Sequence, residues 1–235
     1  IVAVDPNHDV KDLESLLDAL DSKVDISEDL IVLPGMVADS LAHASPWDNI
    51  HDKLLIDATT PLDNDPRGRR EPLKGCPESL EVSASGIDGV IQARFLRSSM
   101  LVVTTKIEGG PSPEENVEEN DEEGAQRQRF KIQKIMDSIW NLEGAKSLRW
   151  LFITDSDVNL YDEGWMRVLL WQFFCRFDVG RDLHFDLDKR RVCWDATAPI
   201  PSLEGPVPVR RWPGVTLHVL VILASVDSWL EDGGF

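Results

Sequence analysis

The stretches "LLIDATTP" at 54–61 and "RVCWDATAP" at 191–199 decide the fold class of this chain. In each, an apolar run ends in Asp-Ala-Thr, and a proline follows two residues later. An apolar run bounded by turn residues and proline is typical of a buried β-strand. The same phrase therefore closes two strands, at Asp57 and at Asp195, and indicates a chain built from two copies of one unit.

Further landmarks repeat in the same order ahead of each phrase. The segment "IVAVDPNHDVKD" at 1–12 resembles "LFITDSDVNLYD" at 151–162, because each is an apolar run followed by regularly spaced polar residues. The matched polar positions are Asp5 with Asp155, Asn7 with Asp157, Asp9 with Asn159, and Asp12 with Asp162. Later, "KVDISEDLIVLP" at 23–34 matches "RFDVGRDLHFDL" at 176–187. Four matched landmarks in one order predict an internal duplication.

A helix is predicted between the first two landmarks of each copy, because apolar residues recur there with helical spacing. Short carboxylates can accept hydrogen bonds from the free N–H groups of a first helical turn. We therefore expect Asp9 or Asp12 to cap the first helix, and a residue of 157–162 to cap the second. The apolar positions are Leu13, Leu16, Leu17, Leu20 and Val24 in the first copy, and Met166, Leu170, Phe173, Phe174 and Phe177 in the second.

The repeated order of strand, helix and strand predicts an α/β fold, with a layered (α/β/α) parallel or mixed sheet in two related units. The domain boundaries expected are 1–75 for a partial first copy and 76–235 for a more complete second copy. Other elements predicted from the pattern are strands at 80–86, 98–109 and 147–154, a helix at 130–142, and a terminal helix at 215–231, with a strand as the alternative for 215–223.

Charge and cysteine content narrow the class of protein. The net charge is −18, and the tract 111–125 carries seven acidic residues and no basic one, which is typical of a solvated loop. An acidic chain does not suit nucleic acid or anionic membrane surfaces. No apolar run is long enough for a membrane span. Three scattered cysteines without a CxxC pair predict a reducing, cytoplasmic compartment. Because the chain opens with Ile1 inside an apolar run, we expect it to be part of a longer protein.

The ordered motifs of the second half resemble the C-terminal domain of the UbiD-like decarboxylases. The resemblance rests on the stretches 132–159, 169–185 and 194–199, with a related closing segment "SLAHASPWDNIHDKLLIDATTP" at 40–61. The glycine usual before the Asp-Ala-Thr phrase is replaced by Cys193. The positions that match the family pattern are Asp155, Asp157, Asn159, Arg176, Asp178, Arg181, Asp182, Asp195 and Thr197, with Asp57 and Thr59 in the first copy.

The resemblance implies a non-oxidative carboxy-lyase that acts on aromatic or α,β-unsaturated acids. Such enzymes use prenylated FMN with manganese or magnesium and potassium, held in N-terminal and central regions that we do not find in this chain. Their C-terminal domain supports oligomer assembly and closes over the active site. The expected role is therefore that of an assembly and lid portion, inactive alone, without catalytic, cofactor-binding or metal-binding residues of its own. Its expected partners are the N-terminal prenyl-flavin domain and further copies of the chain, joined through the terminal segment.

Two other functions stay open at this point. The chain could be a stand-alone interaction module derived from such a domain, or it could bind a small acid in a crevice between its two copies. At the residue level, Asp57 and Asp195 fit either a ligand site at strand ends or simple turns. The spacing Asp155-x-Asp157-x-Asn159 begins like a calcium loop, but Leu160 and Met166 occupy the positions that need glycine and glutamate.

Two further groups of residues allow alternatives. Arginines of the second copy could meet acidic groups of a partner, or they could form ordinary surface ion pairs. Cys175 lies among phenylalanines in the sequence and is predicted to be a buried apolar residue rather than a nucleophile. The arginines concerned are Arg176, Arg181, Arg190, Arg191, Arg210 and Arg211.

Overall fold

The computed structural model describes residues 1–9, 11–37, 49–62, 65, 74–106, 122–186 and 190–200. A three-stranded sheet occupies the N-terminal part, with strand order β1-β3-β2. Strand β1 runs parallel to β3, and β2 runs antiparallel to it. The elements of this part, called the first unit, are β1 (Val2–Ala3), α1 (Leu13–Lys23), α2 (Ile26–Asp29), β2 (Leu30–Val37) and β3 (Ile50–Asp57).

A five-stranded sheet follows, with order β4-β5-β6-β8-β7. Strands β5, β6 and β8 are parallel, whereas β4 and β7 are antiparallel edge strands. Between the first and the second unit, the chain forms α3 (Ser79–Ser85), β4 (Val90–Arg97), β5 (Met100–Thr105) and α4 (Glu122–Trp140). The second unit consists of β6 (Trp150–Asp155), α5 (Trp165–Arg176), α6 (Val179–Asp182), β7 (Leu183–Asp186) and β8 (Arg191–Asp195).

The two units share one topology. In the second unit, β6 runs parallel to β8 and β7 antiparallel to it, as β1 and β2 do with β3. A short helix precedes the antiparallel strand in both, α2 before β2 and α6 before β7. This agreement is what a duplication would produce, although the duplication itself stays a prediction.

Successive side chains of a strand point to opposite faces of the sheet, and both faces of the five-stranded sheet are covered. Leu101 and Leu151 belong to the core that contains residues of α3 and α4. Met100 and Trp150 belong to the core that contains residues of the first unit. The predicted α/β fold with a layered mixed sheet is therefore confirmed, and the first unit forms a small sheet of its own.

Salt bridges also join the first unit to the larger sheet. Arg97 at the end of β4 binds the carboxylates of Glu14 and Asp18 on α1. The buried Arg149 guanidinium lies 3.2 Å from a carboxylate oxygen of Asp21. The acidic face of α1 is thus neutralised within the chain.

Several predicted elements are wrong. The stretch 80–86 reads as a strand because its apolar residues alternate, yet it lies largely in helix α3. Leu80 and Ala84, one helical turn apart, are buried, whereas Val82 is 76% exposed. Strand β4 went unpredicted. The acidic tract is a predicted loop to residue 125, but α4 already begins at Glu122.

The predicted caps have different outcomes. Asp12 caps α1 by accepting a hydrogen bond from the Ser15 amide, as predicted. No side chain of 157–162 caps α5, because the residue at its N-cap is Gly164, in a left-handed conformation, and the helix has no side-chain cap. Cys175 is half-buried rather than buried. The predicted terminal helix at 215–231 lies outside the described residues.

Candidate functional site

The Asp-Ala-Thr phrases form the same closed turn in both units. Asp57 ends β3, and its Oδ1 accepts hydrogen bonds from the Thr59 amide (3.0 Å) and hydroxyl (2.6 Å). Asp195 ends β8, and its Oδ1 accepts from the Thr197 amide and hydroxyl at the same two distances. Of the two interpretations left open for these aspartates, the turn accounts for their bonds.

The aspartates at the ends of the first strands hold these turns from the side. The Asp5 carboxylate accepts from the Thr60 amide at 2.9 Å and lies 2.6 Å from the Lys23 ammonium. These partners hold the pKa of Asp5 well below its usual range.

In the second unit, Asp155 accepts from the Ala198 amide at 2.9 Å and lies 2.8 Å from Arg176. A second guanidinium nitrogen of Arg176 lies 3.2 Å from the Asp157 carboxylate. Each unit therefore ties its first strand to its closing turn with one aspartate and one cation.

Short helix α6 is built by a second set of motif residues. Asp178 caps it by accepting from the Gly180 and Arg181 amides, and Asp182 accepts from the Asp178 amide at 2.8 Å. Arg181 forms a salt bridge with Asp182, 2.6 Å apart. Burial raises the pKa of both aspartates, and Arg181 opposes that shift. Asp25 and Asp29 make the same cap and return bond at α2.

The segment that begins like a calcium loop is held by protein groups instead. Asp155 and Asp157 pair with Arg176. The Asn159 side chain accepts from Gln92 at 2.9 Å and donates to Asp162 at 2.7 Å. Within the described ranges, no group of three or more His, Cys, Asp or Glu side chains is placed to hold a metal ion.

A cavity of about 390 Å³ lies between α4 and the closing turn of the second unit. Apolar side chains of α4, Ile132 and Met136 among them, line it together with Asp182, His184 and Asp195. Burial, with a smaller contribution from Asp182, raises the pKa of Asp195 to about 7. Burial lowers the pKa of His184. The cavity does not lie in the predicted crevice between the two copies, so it gives that hypothesis no support.

Gln128 of α4 is the residue that motif reasoning missed. Its amide nitrogen donates to the Thr197 hydroxyl at 2.8 Å and to the Ala198 carbonyl at 3.0 Å. The side chain is buried, 9% exposed. It fixes the turn after β8 from a helix 69 residues away. The only signal in the sequence is a glutamine on the apolar face of α4, one turn before Ile132.

The described arginines find their partners inside the chain. Arg176 and Arg191 are buried, and the Arg191 guanidinium donates to the Trp140 carbonyl at 2.8 Å. Arg190 is exposed and donates to the Asp25 carboxylate at 3.3 Å. Arg176 and Arg191 therefore bind groups inside the chain, and not acidic groups of a partner or partners in surface ion pairs. Arg210 and Arg211 lie outside the described residues.

Comparisons with known proteins identify the family that the chain resembles. Residues 1–58 match the model of the 3-octaprenyl-4-hydroxybenzoate carboxy-lyase C-terminal domain, the UbiD C-terminal domain. A phenolic acid decarboxylase of Streptomyces sp. (strain D7) is 35% identical over 85 residues, which are 36% of this chain and 18% of that protein. A phenolic acid decarboxylase of Escherichia coli O157:H7 is 40% identical over 80 residues, 34% of this chain and 17% of that protein.

The chain thus spans less than a fifth of these relatives. The predicted resemblance to the UbiD-like family is confirmed, and the model match falls on the first unit, the copy with the larger departures from the family pattern.

Solved structures of UbiD-class enzymes are also similar to parts of the chain. An evolved dimeric form of HmfF from Pelotomaculum thermopropionicum, in complex with prFMN, is 16% identical, with a TM-score of 0.34 over 52% of this chain and 25% of that one. The vanillic acid decarboxylase of Sedimentibacter hydroxybenzoicus, in an open form with a truncated subunit, is 10% identical, with a TM-score of 0.36 over 87% and 45%.

No helix in the part of the chain that the structure describes is both long and apolar enough to cross a membrane.

Proposed function

We propose that this chain is the C-terminal assembly and lid portion of a UbiD-like carboxy-lyase that acts on an aromatic or α,β-unsaturated acid, and that it is inactive alone. The proposal rests on one observation, which is that the motif residues bind other groups of the same chain. The carboxylates of Asp155, Asp178 and Asp182 bind cations or backbone amides of the chain itself. Residues engaged in this way build a scaffold and leave the chemistry to another part of the protein.

The flavin and its ions belong, in this proposal, to an N-terminal prenyl-flavin domain of the same protein. The described residues offer no cluster that suits the manganese or magnesium ion. The Asp195 carboxyl, whose pKa burial raises to about 7, lines the cavity beside α4 and accepts hydrogen bonds from its own turn. In this proposal the chain itself performs no step of the reaction.

We further propose that the chain contains a duplicated unit, with boundaries at 1–75 and 76–235. The shared strand order, the paired short helices and the identical Asp-Ala-Thr turns support it. Residues Cys76, Cys175 and Cys193 are free thiols, which fits a reducing, cytoplasmic location. Self-assembly is assigned to the segment 215–231. Removal of 215–235 should then lower the native mass of the assembly, and an unchanged mass would contradict this assignment.

Flavin retention tests the main proposal. The chain is expressed in cells that make prenylated FMN, purified, and examined by absorbance spectroscopy and by decarboxylation of a phenolic acid. We expect a colourless protein without activity. A stoichiometric flavin spectrum, or turnover, would mean that the chain itself carries the catalytic machinery. A full-length UbiD-like enzyme prepared in the same cells is the positive control for flavin supply.

A further inference from the structure

The two units contact each other through equivalent elements. Helix α6 of the second unit contacts β3 of the first, and helix α2 of the first contacts β8 of the second. Since α2 corresponds to α6 and β3 to β8, each unit presents the same two elements to the other. A contact of this kind, in which patch i meets patch j and patch j meets patch i, is the signature of an isologous interface.

The apolar core between the units has the same symmetry. One core contains side chains of both units, and eight of them form four equivalent pairs. Strand register fixes the equivalence, because Leu30 lies opposite Ile56 in the first sheet and Leu183 lies opposite Trp194 in the second. The pairs in this core are Ile26 with Val179, Leu30 with Leu183, Leu54 with Val192, and Ile56 with Trp194.

From these contacts we propose that the two units form an intrachain pseudo-dimer, in which each unit covers on the other the surface that a second copy of the unit would occupy. The partner of this surface is the other half of the same chain. The proposal rests on the packing of the two units and does not depend on where the flavin binds.

Residues at the rim of the interface, namely Asp25, Asp52, Gly180 and Arg190, favour the pairing of two unlike units. An Oδ2 oxygen of Asp52 lies 2.5 Å from the place where a Cβ on Gly180 would stand, so any side chain at this position would have to push the Asp52 carboxylate aside. The residue equivalent to Gly180 in the first unit is Ser27, which carries a Cβ. Two first units paired in this way would drive Asp52 into Ser27. Steric exclusion of a wrong partner is an established source of specificity.

Charge acts in the same direction. The residue equivalent to Asp52 is Arg190, which donates to the Asp25 carboxylate of the first unit at 3.3 Å. In a pair of two first units, Asp52 would take the place of Arg190 and face Asp25, so that two carboxylates would repel each other. The existing pair of unlike units avoids the collision and keeps one such carboxylate contact, between Asp52 and Asp178, while the attraction between Arg190 and Asp25 replaces the other.

Cleavage of the tether between the units tests the proposal on the full chain. A specific protease site replaces residues 66–73, and the cut protein is examined by native mass spectrometry over a range of concentrations. We expect the two fragments to remain bound in a one-to-one ratio, with the same native mass as the uncut protein. Fragments that separate at micromolar concentration, or a stable complex that contains only one kind of fragment, would overturn an intrachain pair.

Substitutions at the rim show whether the proposed interface holds the fragments together. Gly180→Ser should raise the dissociation constant of the cut fragments by roughly tenfold, because the added side chain displaces the Asp52 carboxylate from the contact. Asp52→Ala in the same chain removes the carboxylate and should restore most of the affinity. Gly86→Ser is the matched control, since a Cβ there meets no atom closer than 3.4 Å.

The double variant keeps the test decisive if Gly180→Ser disturbs folding. Recovery of both the circular dichroism spectrum and the fragment affinity on addition of Asp52→Ala supports the contact. Failure of Asp52→Ala to restore either one, or a dissociation constant that Gly180→Ser leaves unchanged, would overturn the proposal. A flavin-binding result of either sign leaves these outcomes unaffected, so the pairing and the proposed function can fail separately.

Discussion

The first and second units build one framework with ion pairs of different burial. Lys23 and Asp5 tie the first strand to its turn with side chains that are 31% and 24% exposed. Arg176 and Asp155 do so in the second unit with side chains that are 4% and 13% exposed. The arginine also reaches Asp157, whereas the lysine is a single point charge. The same position in a fold can thus carry a minor surface contact or a buried anchor.

Burial of the second anchor follows from the larger sheet. Strands β4 and β5 extend the sheet of the second unit, and helices α3 and α4 pack against one face of it. The described part of the first unit has no equivalent of these four elements. Among the described residues, a helix reaches the closing turn in the second unit alone, through Gln128. The comparison predicts that equivalent substitutions will have unequal effects in the two units.

Replacement of the cation that ties the first strand to the turn should give the largest difference in stability between the two units. Arg176→Met leaves two carboxylates without their guanidinium, one of them buried, and should lower the free energy of unfolding by about 3–5 kcal/mol. Lys23→Met removes a half-exposed pair and should cost about 1 kcal/mol. Urea unfolding followed by circular dichroism measures both. Equal losses would contradict the difference in burial as the cause.

Loss of the Gln128 side-chain amide on α4 should have the next largest effect on stability. Gln128→Ala removes the donor from the Thr197 hydroxyl and the Ala198 carbonyl, and should cost about 1–3 kcal/mol. Gln133→Ala, an exposed position on the same helix, is the control and should change stability by less than about 0.5 kcal/mol. If the two variants unfold alike, Gln128 is not an anchor of the turn.

The pH dependence of Asp195 gives a subtler distinction. Because the pKa of Asp195 rises in the folded state from an ordinary 3.8 to about 7, the folded protein binds more protons than the unfolded one between these values. Stability should therefore fall as the pH rises from about 4 to about 7, and Asp195→Asn should remove this part of the slope. Melting temperatures at half-unit pH steps measure it, with Asp57→Asn as the same change at the equivalent turn. An unaltered slope in Asp195→Asn would contradict the shift.

The exposed contact between the units should have the smallest effect. Arg190→Ala removes a pair whose arginine is 67% exposed, and should cost no more than about 1 kcal/mol at low salt. The loss should shrink further in 1 M sodium chloride, because salt screens exposed charges. A large, salt-independent loss would mean that Arg190 packs against the first unit in a way that charge alone does not explain.

The sequence was most informative where local chemistry determines structure. The aspartate, threonine and proline of each closing phrase specify a turn by their own hydrogen bonds, so both strand ends are predicted correctly. The periodicity of Leu13 to Val24 predicts α1 for the same reason. A residue and its partner a few positions away are enough in these cases.

Prediction from the sequence failed where contacts between residues far apart in the chain determine the structure. The alternation in 80–86 favours a strand, but burial of Leu80 and Ala84 against the sheet makes the segment a helix. Gln128 acquires its role from a turn far along the chain. The raised pKa of Asp195 depends on burial and on Asp182, neither of which is visible in the motif.

The central claim is that the motif residues build the two units rather than a reaction site, and unfolding of the two turn variants tests it most directly. Asp57→Ala and Asp195→Ala each remove an acceptor from two hydrogen bonds, so we expect each to lower the free energy of unfolding at pH 6 by about 1–2 kcal/mol. Urea curves of both variants that superimpose on that of the unaltered chain would contradict the claim.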